Sequence, residues 1–111
     1  MHRTRKSDLP FVGMSHQFIG AEHGPVAMSS YFVDAPPGRS PPLHRHPYDK
    51  VVFVQEGRGR WTVNGEIHDV EPGDILVIKA GEIHTFINTG DVQLRQMDVH
   101  LSPRFIQENL T

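Results

Sequence analysis

The sequence predicts an all-β chain that closes into a barrel or jelly roll, and three observations predict it. Gly and Pro recur at roughly eight-to-twelve-residue intervals, the spacing of short strands and turns. Between them lie short β-branched and aromatic runs at residues 26–34, 50–56, 60–64, 66–70, 74–78, 83–88 and 92–101. Asn64-Gly65, between Trp61-Thr62-Val63 and Glu66-Ile67-His68, is a hairpin signal, because a type I′ turn needs two residues that tolerate positive φ. Seven or eight strands are few for two separate sheets and enough to close a barrel or jelly roll.

Residues 1–25 form an N-terminal segment that packs on the barrel or swaps onto it, and residues 26–102 form the barrel. The loop over residues 35–42, Ala-Pro-Pro-Gly-Arg-Ser-Pro-Pro, is stiff and places the strand that follows. Glu71-Pro72-Gly73-Asp74 and Lys79-Ala80-Gly81-Glu82 read as turns between the later strands. The tail over residues 103–111 is the one stretch with helical character, starting at Ser102-Pro103.

Composition narrows the function. A chain of 111 residues buries roughly two-thirds of its unfolded surface, enough for one core. With 37% hydrophobic and 22% charged residues the balance is that of an ordinary globular chain. A formal charge of −2 argues against a nucleic-acid surface. The longest apolar run, residues 75–78, is far short of the ~20 residues that span a bilayer. Cysteine is absent, which excludes disulfides, thiolate catalysis and cysteine-ligated zinc. Arg3, Arg5 and Lys6 are followed by no sustained apolar stretch, so no signal peptide is expected and the cytoplasm is the expected location.

Histidines carry the chemistry. His44 and His46 are one residue apart, and in an extended strand such side chains leave the same face. His84 lies in a separate strand-like run that can bring a third imidazole to the same point. His2, His16, His23 and His68 fall near a terminus, near turns or on outward faces, where solvation is the simplest role.

The spacing around these residues resembles a known family. Gly38 is followed after five residues by His44, Arg45 and His46, then after three by Lys50 and after six by Gly57. This resembles the first cupin motif, usually G-x5-H-x-H-x3-E-x6-G, with Lys50 in the glutamate position. Gly73, Gly81, His84 and Asn88 resemble the second, usually G-x5-P-x-G-x2-H-x3-N, with Lys79 in the proline position. The resemblance covers about half the chain and implies a double-stranded β-helix, the barrel of small single-domain cupins. It also implies that His44, His46 and His84 hold a divalent metal with open coordination positions. Imidazole suits iron, nickel, copper, zinc and, less strongly, manganese.

Lys50 departs from that pattern. At an effective dielectric near 20, unit charges ~4 Å apart interact by several kcal/mol, so an ammonium beside a dication is strongly repelled. Three arrangements resolve the conflict: Lys50 points out of the barrel, a buried carboxylate neutralises it, or the metal is absent. Asp49 is next to Lys50 but faces the other side of the strand unless a bulge re-aims it. Asp98 is the better partner, because Leu94, Gln96, Asp98 and His100 share one face of the last strand, which a related barrel aims inward.

Phe86, Gln96, Asp98, His100 and Lys50 are therefore the expected pocket residues, with Lys50 and His100 the candidate acid or base. Val52, Val54 and Leu94 line the lumen. Val51 and Phe53 form an apolar stripe on the opposite face. A second subunit covers it in a homodimer, or residues 11–19 fold over it within one chain. Two functions fit. The first is a metal-dependent enzyme acting on a small oxygen-bearing molecule as a dioxygenase, isomerase or lyase. The alternative is a non-catalytic or metal-free cupin that binds a sugar or carboxylate, with Lys50 in its pocket.

Overall fold

A computed structural model describes all 111 residues. The strands are β1 (Phe11–Val12), β2 (Ser15–Phe18), β3 (Ser29–Ala35), β4 (His44–Arg45), β5 (Lys50–Glu56), β6 (Gly59–Val63), β7 (Glu66–Val70), β8 (Ile75–Ile78), β9 (His84–Asn88), β10 (Leu94–His100) and β11 (Glu108–Asn109). They form two antiparallel sheets, ordered β1-β2-β3-β10-β5-β8 and β11-β4-β9-β6-β7. The sheets face each other as a double-stranded β-helix.

Alternation sets the inward faces. Along β5, Lys50, Val52 and Val54 are buried, and Val51 and Phe53 on the outer face are half-buried. Along β10, Leu94, Gln96, Asp98 and His100 are buried. β10 pairs with both β3 and β5, and the register sets Asp98 opposite Tyr31 and Val52, and His100 opposite Ser29 and Lys50. Residues directly opposite share a face, so Lys50, Asp98 and His100 enter the lumen together. The apolar core around them contains Tyr31, Val33, Ala35, Val52, Val54, Trp61, Val70, Ile78, Phe86 and Leu94.

Turn chemistry fixes the hairpins. Asn64 at φ 48° and Gly65 at φ 80° join β6 to β7, the conformation that a type I′ turn demands. Gly57, at φ 82°, closes β5 against the start of β10, and a Cβ there would collide with the Gln93 carbonyl.

The N-terminal segment extends a sheet. β2 pairs with β3 from Ser15↔Val33 to Phe18↔Ser30, so it lies beside β3 and does not cover the outer face of β5. On that face Ile75 and Val77 remain 61% and 59% exposed.

The helical turns also lie in the N-terminal segment, as a 3-10 turn at Lys6–Asp8 and α1 at Gly20–His23. The tail, expected to be helical, is extended instead and ends in β11, which pairs with β4. Leu110 N–H donates to the Leu43 carbonyl and Leu43 N–H to Thr111 Oγ1. The edge of β4 offers the tail backbone partners that a single turn of helix could not match, and tertiary pairing overrides weak local propensity. No helix is long and apolar enough to cross a membrane.

Candidate metal centre

β4 and β9 assemble the imidazoles. His44 opens β4 and stands opposite His84 of β9, while His46 lies just past the end of β4 with its ring turned the same way. The ring centroids are 4.3 Å apart for His44 and His84, 5.0 Å for His44 and His46, and 5.3 Å for His46 and His84. One ligand nitrogen from each lies within 4.8 Å of the other two. All three residues are buried.

Their hydrogen bonds fix the tautomers. Nδ1–H of His44 donates to the Pro42 carbonyl at 2.6 Å, that of His46 to the Ile106 carbonyl at 2.8 Å, and that of His84 to the Glu82 carbonyl at 2.8 Å. A carbonyl oxygen only accepts, so each ring keeps its proton on Nδ1 and leaves Nε2 as a bare lone pair. Nε2 of His46 and of His84 is buried with no partner. Buried acceptors without a donor are rare in folded chains, and carbonyl-anchored imidazoles are how metal-ligating histidines are oriented. The donor set fits a divalent metal.

Electrostatics keep the rings neutral. Burial, followed by the nearby Lys50 charge, pushes His84 down to about 3. Burial and, more weakly, Lys50 push His46 down to about 4. Burial also lowers His44.

In an unfolded chain these rings protonate near pH 6.5. Below that pH the unfolded state therefore takes up protons that the folded state refuses, and stability falls as pH falls. His46 and His84 should each contribute a loss of about 1.4 kcal/mol per pH unit until their folded values are reached. Chelator-treated protein is expected to show a falling melting temperature from pH 6.5 to about 5, above the carboxylate range. A flat profile over that interval would contradict the neutral, buried triad.

Lys50 lies inside the barrel. Its ammonium donates to Asp98 Oδ2 at 3.2 Å, sits 5.2 Å from the Trp61 ring centroid, and is 3% exposed. Of the three resolutions, the structure shows the buried carboxylate. Gln96 Nε2 donates to Asp98 Oδ1 at 3.2 Å, so Gln96 braces the ion pair from behind and does not line the cavity. Asp49 is turned outward, where it accepts from Lys79 Nζ at 2.9 Å and Ala80 N–H at 2.8 Å.

A cavity of about 390 Å³ opens onto His44 and His46, while His84 is buried behind its wall. His44, His46, Lys50, Phe86, Asp98 and His100 line it, and Arg39, Gln17 and Gln107 stand among its polar residues. His100 is buried beside His46, with ring centroids 5.0 Å apart at right angles. Its Nδ1 meets the Tyr48 hydroxyl at 2.9 Å. Burial first, then Lys50, pushes His100 down to about 2.

Three contributors escaped the sequence reading. Tyr48 continues the alternation of His44 and His46, and its ring stacks on His46 at 5.2 Å; that parity was a usable signal. Tyr31 and Phe105, 4.7 Å apart, wall the cavity. Phe105 lies in the tail read as helical, where no pattern pointed inward. Of the other histidines, His23 caps a turn by accepting from Ile19 N–H at 2.9 Å, and none joins the triad.

Fold and site together define a double-stranded β-helix with a three-imidazole centre able to hold a metal. The Cupin domain model matches residues 31–100, and the chain belongs to the cupin family. Its relatives differ widely in role. It is 36% identical over 64 residues to the HTH-type transcriptional activator RhaS of Mannheimia succiniciproducens, covering 58% of this chain and 24% of that one. It is 33% identical over 64 residues to a 5-nitrosalicylic acid 1,2-dioxygenase of Bradyrhizobium, covering 58% and 31%. It is 32% identical over 65 residues to an oxalate-binding protein of Thermotoga maritima, covering 58% and 54%.

The chain thus spans from about a quarter to about half the length of these relatives. Among solved structures, oxalate decarboxylase from Bacillus subtilis superposes with a TM-score of 0.85 at 19% identity, covering 99% of this chain and 32% of that one. A double-stranded β-helix protein from Klebsiella pneumoniae superposes with a TM-score of 0.70 at 22% identity, covering 75% and 74%.

Proposed function

We propose that this cupin binds one of iron, manganese, nickel, copper or zinc through His44, His46 and His84. In this reading it acts on a small oxygen-bearing organic substrate by dioxygenase, isomerase or lyase chemistry. One observation carries it: three carbonyl-anchored imidazoles converge, and two of their Nε2 atoms are buried without a partner. A bound divalent cation would supply Lewis acidity at its open positions. The chain's residues hold and orient the ligand set, Phe86 and Phe105 give the cavity an apolar wall, and the Lys50–Asp98 pair balances charge beside it. The dioxygenase and oxalate-binding relatives act on or bind small carboxylates by name, and the oxalate decarboxylase of Bacillus subtilis has Mn(II) centres. These support the substrate class and the metal.

A second reading, a binding module without turnover, draws on Lys50, which stands buried where the family pattern has an anionic ligand. Elemental analysis of untagged protein purified without chelator separates the two. Near-stoichiometric metal is expected. Substoichiometric metal that does not rise on reconstitution would favour the metal-free pocket.

We further propose a homodimer through the outer face of β8, β5 and β10. Register aligns Ile75, Phe53 and Met97 in one row and Val77, Val51 and Val99 in the next. A patch of this kind exposed on a monomer is unusual. Light scattering at micromolar concentration should give twice the chain mass, and a monomer mass would overturn the assignment.

A further inference from the structure

We propose that His100, positioned by Tyr48, presents an Nε2–H donor into the cavity and so selects ligands that carry an anionic oxygen. This deepens the reading above and rests on the same cavity being the ligand site.

The Tyr48 hydroxyl sets the His100 tautomer. The Tyr48 oxygen accepts from Ile106 N–H at 3.4 Å, and its single proton has His100 Nδ1 as a partner at 2.9 Å. Assigned as the acceptor of that proton, Nδ1 carries no hydrogen, and the proton of the neutral ring sits on Nε2. His44, His46 and His84 face carbonyls and take the opposite tautomer. Four clustered imidazoles are thereby divided into three lone pairs and one donor.

The donor has no acceptor. His100 Nε2 is buried without a hydrogen-bond partner, and so is the Tyr31 hydroxyl, whose ring lies 4.8 Å away. Both residues line the cavity. Buried donors left unmatched are costly, and the surroundings offer His100 little else. Lys50 is cationic, Asp98 is occupied by Lys50 and Gln96, and the imidazoles are neutral. Two orphan donors beside a ligand triad call for a ligand that brings acceptors only, which is the chemistry of a carboxylate.

The first test needs no metal. Long-range 1H–15N NMR of the metal-free, 15N-labelled protein is expected to show the Nε2–H form for His100 and the Nδ1–H form for His44, His46 and His84. Tyr48→Phe should abolish the His100 preference without moving the other three. An Nδ1–H form of His100 in the native protein would overturn the proposal, whatever the metal content.

The second test uses acetate and its neutral isostere acetamide, titrated by calorimetry into zinc-loaded protein, or into metal-free protein if none is retained. His100→Leu should weaken acetate about tenfold and His100→Gln, which keeps an N–H, less than about threefold, a difference of roughly one decade in affinity. Acetamide should be affected much less, and metal content should be unchanged. Equal losses for both probes, unchanged acetate affinity, or loss of metal in His100→Leu would each overturn the donor role. If His100→Leu does not fold, the native tautomer and Tyr48→Phe decide. Failure of the metal reading would appear separately, in the metal analysis.

Discussion

Asp98→Ala is expected to lower the unfolding free energy by about 3–5 kcal/mol, the range for removing one partner of a buried ion pair. Asp98 and Lys50 are 5% and 3% exposed at their side chains, so the orphaned ammonium would be left almost wholly buried. No other carboxylate shares that space, since Asp49 is held outside by Lys79 and Ala80. Gln96 would lose its acceptor as well. Urea unfolding reads the change through the midpoint at unchanged slope.

The double variant Lys50→Met with Asp98→Leu removes both charges and should recover most of the loss, since apolar replacement of buried pairs is often neutral or stabilising. That recovery separates charge burial from simple cavity formation. A loss under about 1 kcal/mol for Asp98→Ala would mean that Lys50 finds solvent through the cavity.

His84→Ala should abolish metal retention while leaving a folded barrel. Changes in the groups that merely orient metal ligands already cost about 10–100-fold in affinity, so loss of one of three direct ligands should exceed ~100-fold. His84 sits at the start of β9 with its ring beside those of His44 and His46, and Trp61 stacks on it at 5.9 Å. The expected readout is metal per chain at background with a melting transition still cooperative. A variant that does not fold would mark His84 as a core residue. Retained metal would remove it from the centre.

The fold was legible where short-range chemistry decides it. β5 and β7 fall on the runs read at residues 50–56 and 66–70, because alternation is local. Asn64-Gly65 specified its hairpin for the same reason. His44 and His46 do converge, yet not quite as two positions of one strand: β4 is only two residues long, and His46 is anchored by Ile106 from the tail.

The parts that were not legible depend on distant partners. β11 is a strand because β4 has a free edge, and nothing in Glu108-Asn109 announces it. Tyr48 and His100 are 52 residues apart, and no periodicity reports their contact. Asp98 was legible as the partner of Lys50 because strand parity constrains both.

The division of labour between the two sheets has a dynamic consequence. The three imidazoles ride on or beside β4 and β9 of one sheet, whereas Lys50, Asp98 and His100 ride on β5 and β10 of the other. Neighbouring strands of a sheet are tied by backbone hydrogen bonds, but facing sheets meet only through side chains. Any slow breathing of the sandwich would therefore spare the triad and change its distance to the charge pair and the fourth ring. Amide exchange in β9 and β10 would report that motion as two separate protection profiles, one for each wall of the cavity.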